Sequence, residues 1–112
     1  MKTMTGNEYQ ELAKRTMNGE LPVYQQRLHA LHGMSAEVGE IHSIHQKVYQ
    51  GHTPDSSKIM DEVGDLLWFI AEYCTCMGFS LEGVMERNIE KLKKRYPEGF
   101  DIDRSVNREK YE

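Results

Sequence analysis

The sequence predicts an all-α fold, a four-helix bundle-type domain with a polar C-terminal tail. Three observations predict it. Apolar residues recur at intervals of three and four through long segments. Helix breakers at Asn18-Gly19, Gly51-His52-Thr53-Pro54, Gly78 and Pro97 divide the chain into four such segments. Strand signals are almost absent.

The first helix is expected from about Asn7 to Met17, ending near Asn18-Gly19. The second begins after Pro22 and runs to about Gln50, where the Gly-His-Thr-Pro break follows. The third runs from about Ser56 to Met77 and stops at Gly78. Ser80 has the chemistry of an N-cap for the fourth, which ends before Pro97. Residues 97–112 are polar, show no sustained period, and read as a tail.

A chain of 112 residues is expected to form one domain, 1–112, with one modest core. Hydrophobic content of 38% against 29% charged suits a globular chain rather than a disordered one. The net charge of −4 argues against a broad nucleic-acid-binding surface, although Lys91, Lys93, Lys94 and Arg95 make a local basic run. Met1 to Glu11 holds no apolar signal core, and no stretch approaches a membrane span. Cys74 and Cys76 are two apart and point in different directions on a helix, so they cannot pair with each other. These features lead to the expectation of a cytoplasmic protein.

The informative residues are acidic. Glu37-Val38-Gly39-Glu40 and Glu62-Val63-Gly64-Asp65 each place two carboxylates three residues apart, on one side of a helix. In the second helix the apolar stripe reads Leu31, Met34, Val38, Ile41 and Val48, and Glu37 and Glu40 border it. In the third it reads Ile59, Val63, Leu66, Ile70 and Met77, and Glu62 and Asp65 border it on the same side. Solvated charges normally sit opposite such a stripe. One acidic pair among 18 Asp and Glu reads as a solvated face; two pairs beside core stripes are more specific. Just over 20 residues separate the motifs, enough for a loop and an antiparallel return. If the faces meet, four carboxylates converge, and they cannot all ionise without cations. Oxygen-only ligands suit a hard divalent ion, Mg²⁺ first and Mn²⁺ as the alternative, and such a cage commonly handles phosphate.

The segments Leu31 to Glu40, Asp61 to Trp68 and Asn88 to Phe100 resemble the MazG-like all-α nucleoside triphosphate pyrophosphohydrolases, whose signature is Glu-x-x-Glu, a spacer, then Glu-x-x-Asp. The resemblance covers about residues 25 to 108. It implies cleavage of a nucleoside triphosphate, NTP or dNTP, between the α and β phosphates, giving the monophosphate and pyrophosphate, a nucleotide-pool house-cleaning reaction. It makes Glu37, Glu40, Glu62 and Asp65 the catalytic metal ligands. Lys58, four residues before Glu62, contacts a phosphate or pairs with Glu62. Asn88, Lys91 and Arg95 share one side of the fourth helix; by pattern alone they are a solvated basic face, and the resemblance favours them as substrate contacts. The family also implies a homodimer or homotetramer.

Trp68 points away from its helix's stripe, which predicts a second buried surface, with a subunit interface favoured over the base pocket. The tail residues Arg104, Ser105, Asn107 and Arg108 either fray or pack on a neighbouring subunit. Two rivals remain at this level. One is a non-catalytic helical interaction or regulatory module that keeps the fold. The other is a di-metal redox bundle, disfavoured because no Glu or Asp in the acidic helices has His three residues later.

Overall fold

The computed structural model describes residues 3–111. Four long helices form: α1 (Gly6–Lys14), α2 (Val23–Val48), α3 (Ser56–Met77) and α4 (Leu81–Arg95). No strand forms among the described residues. The ends are set by local chemistry. Thr5 and Glu8 make a reciprocal capping box on α1. The Asp55 carboxylate accepts from the Ser57 and Lys58 amides at the start of α3, at 3.0 and 3.3 Å. Gly78 ends α3 at φ 76°, a left-handed conformation that disfavours other residues. Ser80 caps α4 as predicted, its hydroxyl accepting from the Gly83 amide at 2.8 Å.

The bounds of α3 match the sequence reading, while α1 stops at Lys14, short of Met17. Arg15, Thr16 and Met17 continue as tight turns, each amide bonding to the carbonyl three residues back. The tail also differs from expectation. It contains α5 (Ile102–Val106) and a 3₁₀ turn (Arg108–Lys110). The Asp101 side chain caps α5. Arg104 Nη1 donates to the Arg95 carbonyl at 3.1 Å, and the guanidinium lies 4.1 Å from the centre of the Tyr111 ring. Asp103 accepts from the Tyr111 hydroxyl. Helices held by such local polar contacts carry no apolar period.

The molecule is organised on an antiparallel hairpin of α2 and α3. As α2 advances, its partners on α3 recede: Gln26 meets Cys76, His29 meets Glu72, Gly33 meets Phe69, and Glu37 meets Glu62 and Asp65. Among the shielded positions, one row on α2 is Ala30, Met34, Glu37, Ile41 and Ile44, with Gly33 beside it, and one row on α3 is Ile59, Glu62, Leu66, Phe69 and Tyr73, with the more deeply buried Ala71, Glu72 and Cys74 beside it. Both rows step by threes and fours, as facing helices require. Leu31, Val38 and Val63, placed on the stripes by sequence, are over 40% exposed. Glu37 and Glu62 therefore stand in the seam rather than beside it.

α1 lies across α3, and α4 packs chiefly on α1. Gln10, buried in α1, ties this corner together. Its Nε2 donates to the Phe79 carbonyl at 2.9 Å and to Thr75 Oγ1 at 3.2 Å, and its Oε1 accepts from the Leu81 amide at 2.7 Å. Trp68 is half-buried within its own chain. Its Nε1 donates to Thr16 Oγ1 at 2.8 Å, and Phe69 packs edge-on to the indole at 5.1 Å between ring centres. The second surface behind α3 is supplied by the end of α1.

Candidate metal centre

The hairpin brings three of the four motif carboxylates together. One oxygen each from Glu37, Glu62 and Asp65 lies within 4.8 Å of the others. Glu37 comes from α2 and the other two from α3, so the antiparallel register makes the cluster. Glu37 and Glu62 are half-buried and Asp65 is exposed. Glu37 Oε2 is shielded from solvent and has no hydrogen-bond partner among the described residues.

This crowding sets the electrostatics. The Glu37 carboxyl is pushed up to about 7, first by a hydrogen bond shared with Glu62, then by burial, then by the charges of Glu62, Asp65 and Glu40. A proton between two carboxylates relieves repulsion that a cation would relieve more fully. The donor set is all oxygen, part of it shielded, and one Glu37 oxygen has no hydrogen-bond partner among the described residues. Such a set fits a hard divalent ion.

Glu40 lies one turn along α2 and is exposed. It stands outside the close set, yet its charge reaches Glu37. Lys58 is exposed in the first turn of α3, and its ammonium makes no ion pair among the described residues. Asn88 and Lys91 line an open cleft of about 720 Å³ along α4, with Arg87 and Lys94. Arg95 is half-buried and borders a smaller cleft of about 360 Å³ with Lys91, Lys94 and Tyr111. No hydrogen bond or ion pair joins Lys58, Asn88 or Lys91 to the acidic trio among the described residues.

Two features escaped the sequence reading. Tyr9 of α1 has its phenol raised above the ordinary range, first by burial and then by the Asp65 charge, so α1 places a hydroxyl within electrostatic reach of the cluster. Glu72, two turns beyond Asp65 on α3, is 1% exposed and bonds His29. Its spacing of seven from Asp65 was a usable signal; nothing in the sequence marks Tyr9 or His29.

Residues 25–100 match the MazG nucleotide pyrophosphohydrolase domain, well over half of the chain. The chain belongs to the MazG family. No curated protein and no solved structure gives a significant match. MazG domains are nucleotide pyrophosphohydrolases, usually dependent on a divalent metal, and this one carries the acidic cluster such a metal requires. Both acidic motifs and α4 fall inside the matched span; the Arg104–Tyr111 fold-back lies beyond it. No helix of this MazG chain, among the described residues, is long and apolar enough to cross a membrane.

Proposed function

We propose that the chain is a Mg²⁺-dependent nucleoside triphosphate pyrophosphohydrolase, converting an NTP or dNTP to the monophosphate and pyrophosphate, with nucleotide-pool house-cleaning as its role. The observation that carries this reading is the convergence of Glu37, Glu62 and Asp65 from two helices onto one point in a MazG domain. Glu37, Glu40, Glu62 and Asp65 would hold Mg²⁺, or Mn²⁺ in its place. Ions held there neutralise the phosphate oxygens of the bound triphosphate. A motif carboxylate accepts the proton of the attacking water. Lys58, Asn88, Lys91 and Arg95 grip the triphosphate and leave the ions to the acids.

Assembly is part of the proposal. Val84, Met85 and Ile89 of α4 are at least 40% exposed, as are Leu31, Val38 and Val63 on the hairpin. A second copy, in a homodimer or homotetramer, would cover both faces and set basic α4 of one chain against the acidic hairpin of the other. The domain is taken as 1–112, with residues 97–112 as its folded-back tail. The free thiols Cys74 and Cys76 suit a reducing cytoplasm.

The test is a panel of ribo- and deoxynucleoside triphosphates with Mg²⁺ in ¹⁸O-labelled water. Monophosphate carrying the label, with unlabelled pyrophosphate, is the expected result. Nucleoside diphosphate and inorganic phosphate as products would overturn the reaction class.

A further inference from the structure

Among the described residues, Glu72 is the one large side chain that is fully buried, at 1% exposure, and it is charged chemistry in a small core. Both of its oxygens lie on a single atom, His29 Nδ1, at 2.9 and 3.0 Å. A buried carboxylate left without such a partner is costly, so the pairing of these two positions is strongly enforced. The Cys76 thiol, one turn along α3, is raised by burial and then by the Glu72 charge, and lowered by Arg27 of α2.

The pair joins the same two helices that carry the acidic cluster. His29 lies eight residues before Glu37 on α2, and Glu72 seven after Asp65 on α3. At 1.5 Å per residue that is roughly 12 Å along the hairpin. Aromatic packing bridges the space between. The His29 ring packs on Phe69 at 5.5 Å between ring centres. Phe69 in turn lies against the backbone of Gly33, where a Cβ would come within 2.2 Å of the ring. Gly33 is one turn before Glu37, and Phe69 one turn after Asp65. Displacement at the His29 level thus reaches the carboxylates through packed rings and stiff helices.

We propose that His29 and Glu72 are a positioning pair for the metal centre, fixing the α2–α3 register on which Glu37 meets Glu62 and Asp65. The inference rests on the proposed metal site, and its test separates the two. The polar atom that matters is Nδ1. The side-chain nitrogen of Asn takes nearly the place of Nδ1, whereas that of Gln takes nearly the place of Nε2. A role as a general polar surface residue would be filled equally by either.

The experiment measures binding of Mn²⁺ alone to the full chain by electron paramagnetic resonance, with helicity recorded for each variant. Wild type, Glu62→Gln, His29→Ala, His29→Gln and His29→Asn are compared. His29→Ala and His29→Gln should bind Mn²⁺ about tenfold more weakly at unchanged helicity, with His29→Asn within about threefold of wild type. If His29→Ala does not fold, the Asn and Gln pair still decides. Equal affinity for the Asn and Gln variants, or wild-type affinity in Ala and Gln, overturns the positioning role while Glu62→Gln still shows the metal centre. Wild type that takes up no Mn²⁺, or Glu62→Gln that binds as wild type, overturns both.

Discussion

Gly33 is the residue on which the hairpin closes most tightly. A methyl group there would sit 2.2 Å from the Phe69 ring, and that ring is held between His29 and Trp68. Neighbouring rings flank it on two sides, so relief requires the ring or the helices to shift. Gly33→Ala should therefore cost about 1–3 kcal/mol, the usual range for overpacking, read as a lowered urea midpoint. A stability gain, as expected from helix propensity alone, would show that the seam is looser. Glu37 gives a second prediction at this scale. Its carboxyl rises from 4.5 to about 7 in the folded, metal-free chain. Across that window the folded state holds a proton that the unfolded chain has released, so stability falls as pH rises from about 4.5 to about 7. Saturating Mg²⁺ should flatten the slope, and Glu62→Gln, which removes a repelling charge, should flatten it without metal. The same variant should lose most Mg²⁺-dependent turnover. Urea melts at several pH values, with and without Mg²⁺, check the sign; a slope rising over this window would refute it.

At the level of elements, Gln10 does for α1 what the hairpin register does for α2 and α3. Three hydrogen bonds run from its amide to Thr75, Phe79 and Leu81, so one side chain anchors α1 to the corner where α3 gives way to α4. Gln10→Leu leaves the Leu81 amide and Phe79 carbonyl without that partner, at about 1–3 kcal/mol per buried group. Faster hydrogen exchange in α1 than in the hairpin would locate the loss; exchange unchanged in α1 would contradict the anchoring. The four long helices were legible because caps and breakers are local: Asp55, Gly78 and Ser80 act within one turn of themselves. The acidic motifs were legible because their spacing alone sets two carboxylates on one face. The seam was legible only in part: Met34, Ile41, Ile59 and Leu66 belong both to the predicted stripes and to the shielded rows, whereas Leu31, Val38 and Val63 are exposed and Ala30, Gly33 and two glutamates are shielded in their stead. Small and charged residues give a hydrophobic pattern no weight. The cover over Trp68 was hidden for another reason: Thr16 is 52 residues away in sequence.

For the whole molecule, the decisive fact is that α4 lies chiefly on α1, with its apolar residues open. An isolated chain exposes Met85 and Ile89 at about half their surface, along with Val63 on the hairpin. Exposed apolar faces of this kind favour self-association. Sedimentation at micromolar concentration should show a homo-oligomer, and Ile89→Asp should shift it toward monomer with loss of turnover. A sharper experiment mixes two inactive variants, Glu62→Gln and Lys91→Gln, after joint refolding. If a site takes its acids from one chain and its basic helix from the other, half of the sites in each mixed dimer are restored. Random pairing then returns roughly a quarter of wild-type activity, because a symmetric dimer carries two equivalent sites. If Lys91 serves the acids of its own chain, every site in the mixture stays defective and activity remains at the level of the separate variants. Recovery would place the working site between chains, which explains why α4 can stand away from the hairpin within one copy: its acidic partner belongs to the next.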